Sequence, residues 1–149
     1  MSWIHNNKTI TDISQVPNNA IGFVYIIENK DTYEYYIGKK SLYGKITKKP
    51  LKGTKKKRVE LRESKWLDYQ SSNKEVQQWT NVERKILTFA FTKTGLTYFE
   101  AKAIFCFAAL EDNKSLNGNI LGKFYKDKIT EEFESAKQTP TIKLPKIES

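Results

Sequence analysis

A single cysteine, Cys106, excludes an internal disulfide and suits a reducing compartment. A single histidine, His5, leaves a histidine-built metal centre or catalytic triad without its main component. There is no Gly-rich phosphate loop, no CxxC pair and no HExxH segment. The longest unbroken apolar run, IFCFAAL at 104–110, is far shorter than the ~20 residues a helix needs to span a bilayer. The opening MSWIHNNKTI lacks a basic stretch followed by an apolar one, so a secretory leader is not expected. No repeat at solenoid periods is visible. What is left is a chain of 149 residues, 38% apolar and 29% charged, which fits one cytoplasmic, globular domain.

Acidic residues are missing from one place in particular. Residues 39–58, KKSLYGKITKKPLKGTKKKR, hold nine lysines, one arginine and no aspartate or glutamate. The formal charge of the chain is +9, so everything outside this block is close to neutral. Such a block is either a solvated loop or a grip on a polyanion, nucleic acid first. It lacks the bulky apolar face of an interfacial helix, so a membrane is not the expected partner. Within it, Lys45, Lys48, Lys49, Lys52, Lys55, Lys56, Lys57 and Arg58 are candidates for contacts to backbone phosphates. Contacts of that kind give affinity and salt dependence rather than sequence reading. Nothing resembles a recognition helix or a zinc finger, so any sequence preference is expected to be weak.

Residues 1–20 are polar and turn-rich and read as an arm. IGFVYIIE (21–28) has the β-branched and aromatic content of a strand, NKDT (29–32) of a turn, and YEYYIG (33–38) of a return strand. Gly44, Pro50 and Gly53 break the basic block into a loop. A helix is expected from about Val59 to Tyr69, and Ser72 followed by Glu75 starts a short second one. ERKILTFAFT (83–92) suggests a third strand. The clearest helix covers 97–110, with Thr97 at its N-cap, Glu100 at N3 and an apolar stripe of Phe99, Ala103, Cys106, Phe107 and Leu110. Cys106 thus reads as a core residue, and Trp66 and Trp79 as packing anchors. The order β-β-α-(α)-β-α predicts an α/β fold with helices packed on a three-stranded sheet over 21–128, a basic insertion at 39–58, and a loosely attached tail at 129–149.

Four tyrosines crowd the predicted hairpin. A turn centred between Lys30 and Asp31 sets opposite one another residues whose numbers sum to 61. Tyr25 then faces Tyr36, with Cβ atoms roughly 4.5–5.5 Å apart. Val24, Ile26, Tyr35 and Ile37 take the other face. The plain reading is a stabilising cross-strand aromatic pair.

Val24-Tyr25, ten residues, and then Tyr36-Ile37-Gly38 resemble the GIY-YIG nuclease signature, with Phe23-Val24-Tyr25 in place of Gly-Ile-Tyr. The resemblance covers about residues 21–120. It implies a three-stranded antiparallel sheet flanked by helices and a glutamate, after the third strand, that binds a divalent metal, Mg²⁺ or Mn²⁺; Glu100 matches. It also implies a closing asparagine, for which Asn117 fits best and Asn119 second. The family arginine on the helix after YIG has several candidates. KWLDY resembles a basic-Trp-x-x-His pattern, placing Lys65 in the arginine slot and Tyr69 in the histidine slot. Arg62 lies one turn earlier and Arg58 another. YIGKK followed by Trp66, Tyr69, Ser71 and Ser72 resembles small phage-encoded members, which would act in the cytoplasm of a bacterial host. The implied partner is DNA, double-stranded or branched, with RNA the weaker option.

The residue types suit that chemistry. A carboxylate at residue 100 could hold one Mg²⁺, which keeps several of its own waters. Tyr25 or Tyr36 could orient the attacking water or take its proton, with Lys39 and Lys40 lowering the phenol pKa and neutralising the phosphate. Against this, Thr97 and Glu100 would also make an ordinary capping box. Two readings follow: a metal-dependent DNA endonuclease, or a catalytically inactive module of the same fold that grips nucleic acid or a host protein.

Overall fold

The computed structural model describes residues 2–136. Its centre is a mixed sheet of five strands rather than three. In chain order the strands are β1 (Trp3–His5), β2 (Lys8–Ile10), β3 (Gly22–Asn29), β4 (Tyr35–Ser41), β5 (Tyr43–Lys48), β6 (Arg58–Glu63) and β7 (Val82–Ala90), of which β2-β1-β7-β3-β4 form the sheet in that spatial order. The two extra strands come from the segment expected to be an arm. Asn6 and Asn7 both take positive φ (49° and 64°), the backbone that a two-residue type I′ hairpin turn requires. Trp3 then lies opposite Ile10 and is fully buried, and β1 joins β7 in parallel at Ile4–Lys85. A tryptophan carrying that much apolar surface holds the segment down.

The strands β3 and β4 pair antiparallel with Tyr25 opposite Gly38 and Ile27 opposite Tyr36, so opposed residues sum to 63 and not 61. The turn lies one residue later than expected. Asn29 stays in the ladder, its Oδ1 accepts from the amide of Asp31 (2.9 Å), and Tyr33 closes the loop in the left-handed region at φ 63°. A shift of two in the sum preserves parity. Tyr25 and Tyr36 therefore keep a common face, as diagonal neighbours with ring centroids 6.5 Å apart.

The sheet separates two apolar clusters. Phe23, Tyr25 and Ile27 meet Trp3, Trp66, Val76, Ile86 and Phe89 on one face. Val24 and Ile37 meet Leu96, Ala101 and Ile104 of helix α2 (Lys93–Cys106) on the other. A bulge between Val24 and Tyr25 interrupts the pairing with β7. Helix α2 starts earlier than expected: its N-cap is Thr92, whose side chain accepts from Gly95 N, and not Thr97. Its core-facing residues are accordingly Leu96, Ala101 and Ile104, while Cys106, expected in the core, is exposed.

The expected helix from Val59 is instead β6, which pairs with β5 over six positions from Tyr43–Glu63 to Lys48–Arg58. The basic block is thus split: Lys39–Ser41 end β4, Tyr43–Lys48 and Arg58 belong to an antiparallel β-ribbon, and 49–57, with Pro50 and Gly53, form the expected loop at its tip. The short α1 (Lys74–Gln77) is capped by Asn73 in place of Ser72. Two further strands, β8 (Asn119–Ile120) and β9 (Phe124–Tyr125), form a small hairpin, followed by α3 (Lys126–Ala136), which buries no residue. The rest of the expected tail, 137–149, lies outside the described residues. No helix among the described residues is long and apolar enough to cross a membrane.

Candidate active site

β4 is an edge strand of the sheet, and the site is built along it. Residues 114–117 run beside it: Tyr35 N donates to Lys114 O (2.9 Å) and Leu116 N donates to Tyr35 O (2.9 Å). At the next position the backbone pairing gives way to a side chain. Asn117 Oδ1 accepts from Ile37 N (2.9 Å) while its Nδ2 donates to Ile37 O (2.7 Å). The amide of Asn117, 3% exposed, imitates a strand at this point. Ser115 Oγ donates to the same Oδ1 (3.2 Å), which fixes the amide's orientation. Past Asn117 the segment leaves β4, and a cavity of about 260 Å³ opens, lined among others by Tyr36, Lys39, Glu100, Asn117 and Asn119.

Glu100 reaches this cavity from the middle of α2, on the buried side between Leu96 and Ile104. Because the helix begins at Lys93, Glu100 is not at N3 and serves no capping box. Burial pushes its carboxyl up, and Lys39 alone is close enough to pull it down. Lys39 Nζ itself donates to Thr97 Oγ1 (2.9 Å), one turn before Glu100 on the same helix. The hydroxyl expected to cap the helix instead steers this lysine.

Tyr36 is half-buried and meets the cavity from the other side of the β4 edge. Burial raises its phenol, the Glu100 carboxylate and Tyr69 raise it further, and a hydrogen bond with Ser72 works against them. Tyr25 lies behind it, 1% exposed, and does not line the cavity. Its ring covers Gly38, where an added Cβ would sit 2.6 Å from Tyr25 Cζ and closer still to the hydroxyl. The glycine of YIG is therefore needed so that the Tyr25 ring can cross the neighbouring strand. Burial also drives the Tyr25 phenol upward, opposed by a hydrogen bond with Ser71. The expectation that Lys39 and Lys40 lower these phenols is corrected: both tyrosines hold their protons more tightly than a free phenol, because burial disfavours the charged form and, at Tyr36, the Glu100 carboxylate adds to it.

The segment after the ribbon supplies the backing. Tyr69 packs edge-on against Tyr25 (centroids 5.9 Å), and Lys40 Nζ lies 4.5 Å from the centre of the Tyr69 ring. Trp66 is buried under Phe23, Ser71 (φ 72°) faces Tyr25, and Ser72 faces Tyr36. Trp66 thus packs against the neighbouring Phe23, while Tyr69, Ser71 and Ser72 converge on the tyrosine pair. Arg62 and Lys65 do not. Arg62 lies opposite Gly44 on the exposed ribbon, and Lys65 is exposed next to buried Trp66; neither lines the cavity. The lysines from Lys45 to Lys57 and Arg58 belong to the ribbon and its tip.

One residue escaped sequence reading. Arg84, on β7, is 3% exposed, and its Nη1 donates to the carbonyls of Leu67 and Tyr69 (2.9 Å each). Its guanidinium lies 4.7 Å from the Trp3 ring centre, and its Nε and Nη2 have no partner. It pins the loop that holds Tyr69 against Tyr25. The available signal was parity: Arg84 and Ile86 share the inward face of β7, a position where a charge is rare unless bonded.

The donor set suits a single divalent cation bound loosely. No group of three metal-ligating side chains exists among the described residues, so Glu100 is the one protein carboxylate to offer. A half-buried carboxylate with a raised pKa, beside a roomy polar cavity, fits an ion that keeps its own waters.

No curated protein and no solved structure matches the chain. A family model described as "Putative endonuclease segE, GIY-YIG domain" matches residues 3–129, taking in the five-stranded sheet, both tyrosines, Glu100 and Asn117. With that match over most of its length, the chain belongs to the GIY-YIG endonuclease family.

Proposed function

We propose that this chain is a divalent-metal-dependent DNA endonuclease that hydrolyses phosphodiester bonds in the cavity at the β4 edge. The observation that carries the reading is that Glu100, Tyr36 and Lys39 line one cavity although they come from two elements about sixty residues apart in sequence. Glu100 would hold the ion, Mg²⁺ or Mn²⁺, which when bound supplies Lewis acidity toward the phosphate and the leaving oxygen.

The chain's own groups have separable tasks. Tyr36, kept protonated by its surroundings, donates a hydrogen bond that orients water or a phosphate oxygen in the cavity; it is not the base. Lys39, held by Thr97, presents a positive charge to the phosphoryl oxygens, where preorganised charge lowers the barrier. Tyr25 acts through Tyr36 and Gly38, as a positioning residue. Asn117 holds the strand that carries Tyr36 and Lys39. The lysine-rich ribbon supplies the electrostatic hold on the DNA backbone.

The test is nicking of supercoiled and branched DNA in Mg²⁺, Mn²⁺ or EDTA. Glu100→Gln should lower the rate by about 10²–10³-fold, the scale of losing one preorganised electrostatic partner, and leave binding intact. Binding without cutting in every metal would leave a nucleic-acid-binding module in its place.

A further inference from the structure

Resting on that reading, we propose that the β5–β6 ribbon enters the major groove of double-stranded DNA and reads base edges three to four base pairs to one side of the cleaved bond. Residues 43–63 carry nine basic side chains against Glu60 and Glu63, which is most of the chain's excess charge. Every residue of β6 is exposed, including Val59 at 63% and Leu61 at 65%. An isolated two-stranded ribbon is marginal in water, so a surface of this shape and charge fits an anionic partner that packs against it. Its six ladder pairs give a length of about 20 Å.

The ribbon's width selects the groove. Two strands about 4.8 Å apart plus side chains fill a major groove of ~12 Å and exceed a minor groove of ~6 Å. The major groove of A-form RNA is deep and narrow and would not admit it. One ribbon face, with Tyr43, Lys45 and Leu61, turns back to line a cleft with Ile21, Thr92 and Lys93. By strand alternation the other presents Lys48, Arg58, Glu60 and Arg62. Lys48 pairs with Glu60, while Arg58 and Arg62 stand four residues apart on that face. Arginine donates in pairs to guanine, and four residues of strand span roughly 13 Å, or about four base steps.

The ribbon's root is rigid. Leu42 is fully buried, its amide donates to Ile21 O (2.9 Å), and its carbonyl accepts from Ser64 N (2.8 Å). From this root the cavity is about 10–13 Å away, measured either along α2 from Lys93 to Glu100 or along the chain from Tyr43 to Lys39. At 3.4 Å per step this separation is three to four base pairs. Groove reading by the ribbon therefore sets which phosphate enters the cavity.

The test uses the full chain carrying Glu100→Gln, so that nothing is cut, and fluorescence anisotropy on a 30-base-pair DNA duplex in EDTA. Prior saturation with methyl green, a major-groove ligand, should weaken binding by about tenfold or more, and netropsin, a minor-groove ligand, by less than about twofold. The same sequence as duplex RNA should bind about tenfold more weakly than DNA. Adding Arg58→Ala and Arg62→Ala should weaken DNA binding by roughly 10–100-fold and abolish the methyl green effect. Both sites are exposed, so thermal melting should stay unchanged; if it does not, Arg58→Lys with Arg62→Lys keeps the charge and should still lose the methyl green effect.

Equal sensitivity to both groove ligands, equal affinity for duplex RNA, or unaltered binding by the arginine variants would overturn the proposal. The anisotropy result does not depend on catalysis. If no nicking is found but methyl green competes, the ribbon proposal stands and the nuclease reading falls; intact nicking with indifferent arginine variants gives the reverse.

Discussion

Strands β4 and β5 are separated by one residue, Leu42, and a single lysine-rich run crosses both, yet their lysines live in different worlds. On β4, Lys39 is held by Thr97 and Lys40 by the Tyr69 ring, with Ile37 and Gly38 buried between two packed layers. On the ribbon, among the described residues, only Lys48 has an ion-pair partner. The same residue type is a positioned group in one place and a diffuse field in the other. The difference lies in the neighbours. One face of β4 is covered by α2 and its edge by an asparagine that completes its ladder, whereas β5 is paired with β6 alone. Side chains fixed by such neighbours can act on one phosphate. On the proposed reading, lysines at the ribbon tip hold a backbone, and Arg58 and Arg62, on one face of β6, do more.

Changes on the β4 side should therefore cost stability and activity together. The largest effect is expected from Asn117→Ala, which strands the amide and carbonyl of Ile37 in a buried place. Two unsatisfied backbone groups should cost about 2–4 kcal/mol, measurable as a lower denaturant midpoint with nicking reduced in parallel. Asn117→Asp should fare little better: a carboxylate accepts from Ile37 N but repels Ile37 O. Next comes Gly38→Ala. The new methyl would overlap the Tyr25 ring, and overpacking of this kind costs about 1–3 kcal/mol; an unaltered melting temperature would show that Tyr25 does not need to lie across β4.

Ribbon changes should separate the two properties. Replacing Lys52, Lys55, Lys56 and Lys57 by serine removes exposed charges from the tip and should move stability by less than about 0.5 kcal/mol. On duplex DNA it should flatten the slope of log affinity against log salt by up to about 0.9 for each lost phosphate contact. A slope that stays put would assign the tip to solvent.

Which of these features were legible beforehand follows from their range. The tyrosine face survived a wrong turn position because the error was even in residue count, and parity is all that decides a face. Gly38 was visible as a motif letter, but its reason, a ring lying over it from the next strand, is a tertiary contact. The Asn6-Asn7 pair is a local turn signal inside a polar segment, and the strands on either side of it are only three residues long. Val59 to Glu63 read as helix because alternating Val, Glu, Leu and Arg suits either period over so few residues. Thr97 has the residue type of a cap, but the packing of Leu96 into the sheet extends the helix back to Lys93 and leaves the cap to Thr92. The loop pinned by Arg84 could not be foreseen, since its carbonyl partners lie 15 and 17 residues away.

The smallest effect expected is also the one that reports on Glu100 without any cleavage. Burial raises its carboxyl, so the folded protein binds that proton more tightly than the unfolded chain does. The stabilising contribution is then complete below the ordinary glutamate value, about 4.3, and is lost as pH rises through the higher folded value. At neutral pH and in EDTA the carboxylate is a burden on the fold. Glu100→Gln should therefore melt slightly above the parent, and the gap should close as pH falls through the carboxylate range. Adding Mg²⁺ at neutral pH should stabilise the parent, because an ion that binds only the folded state shifts the equilibrium toward it, and should leave the glutamine variant unmoved. A gap that is independent of both pH and Mg²⁺ would mean that the residue 100 carboxylate is solvated and holds no ion, and would leave the cavity at the β4 edge without the metal site on which the nuclease reading depends.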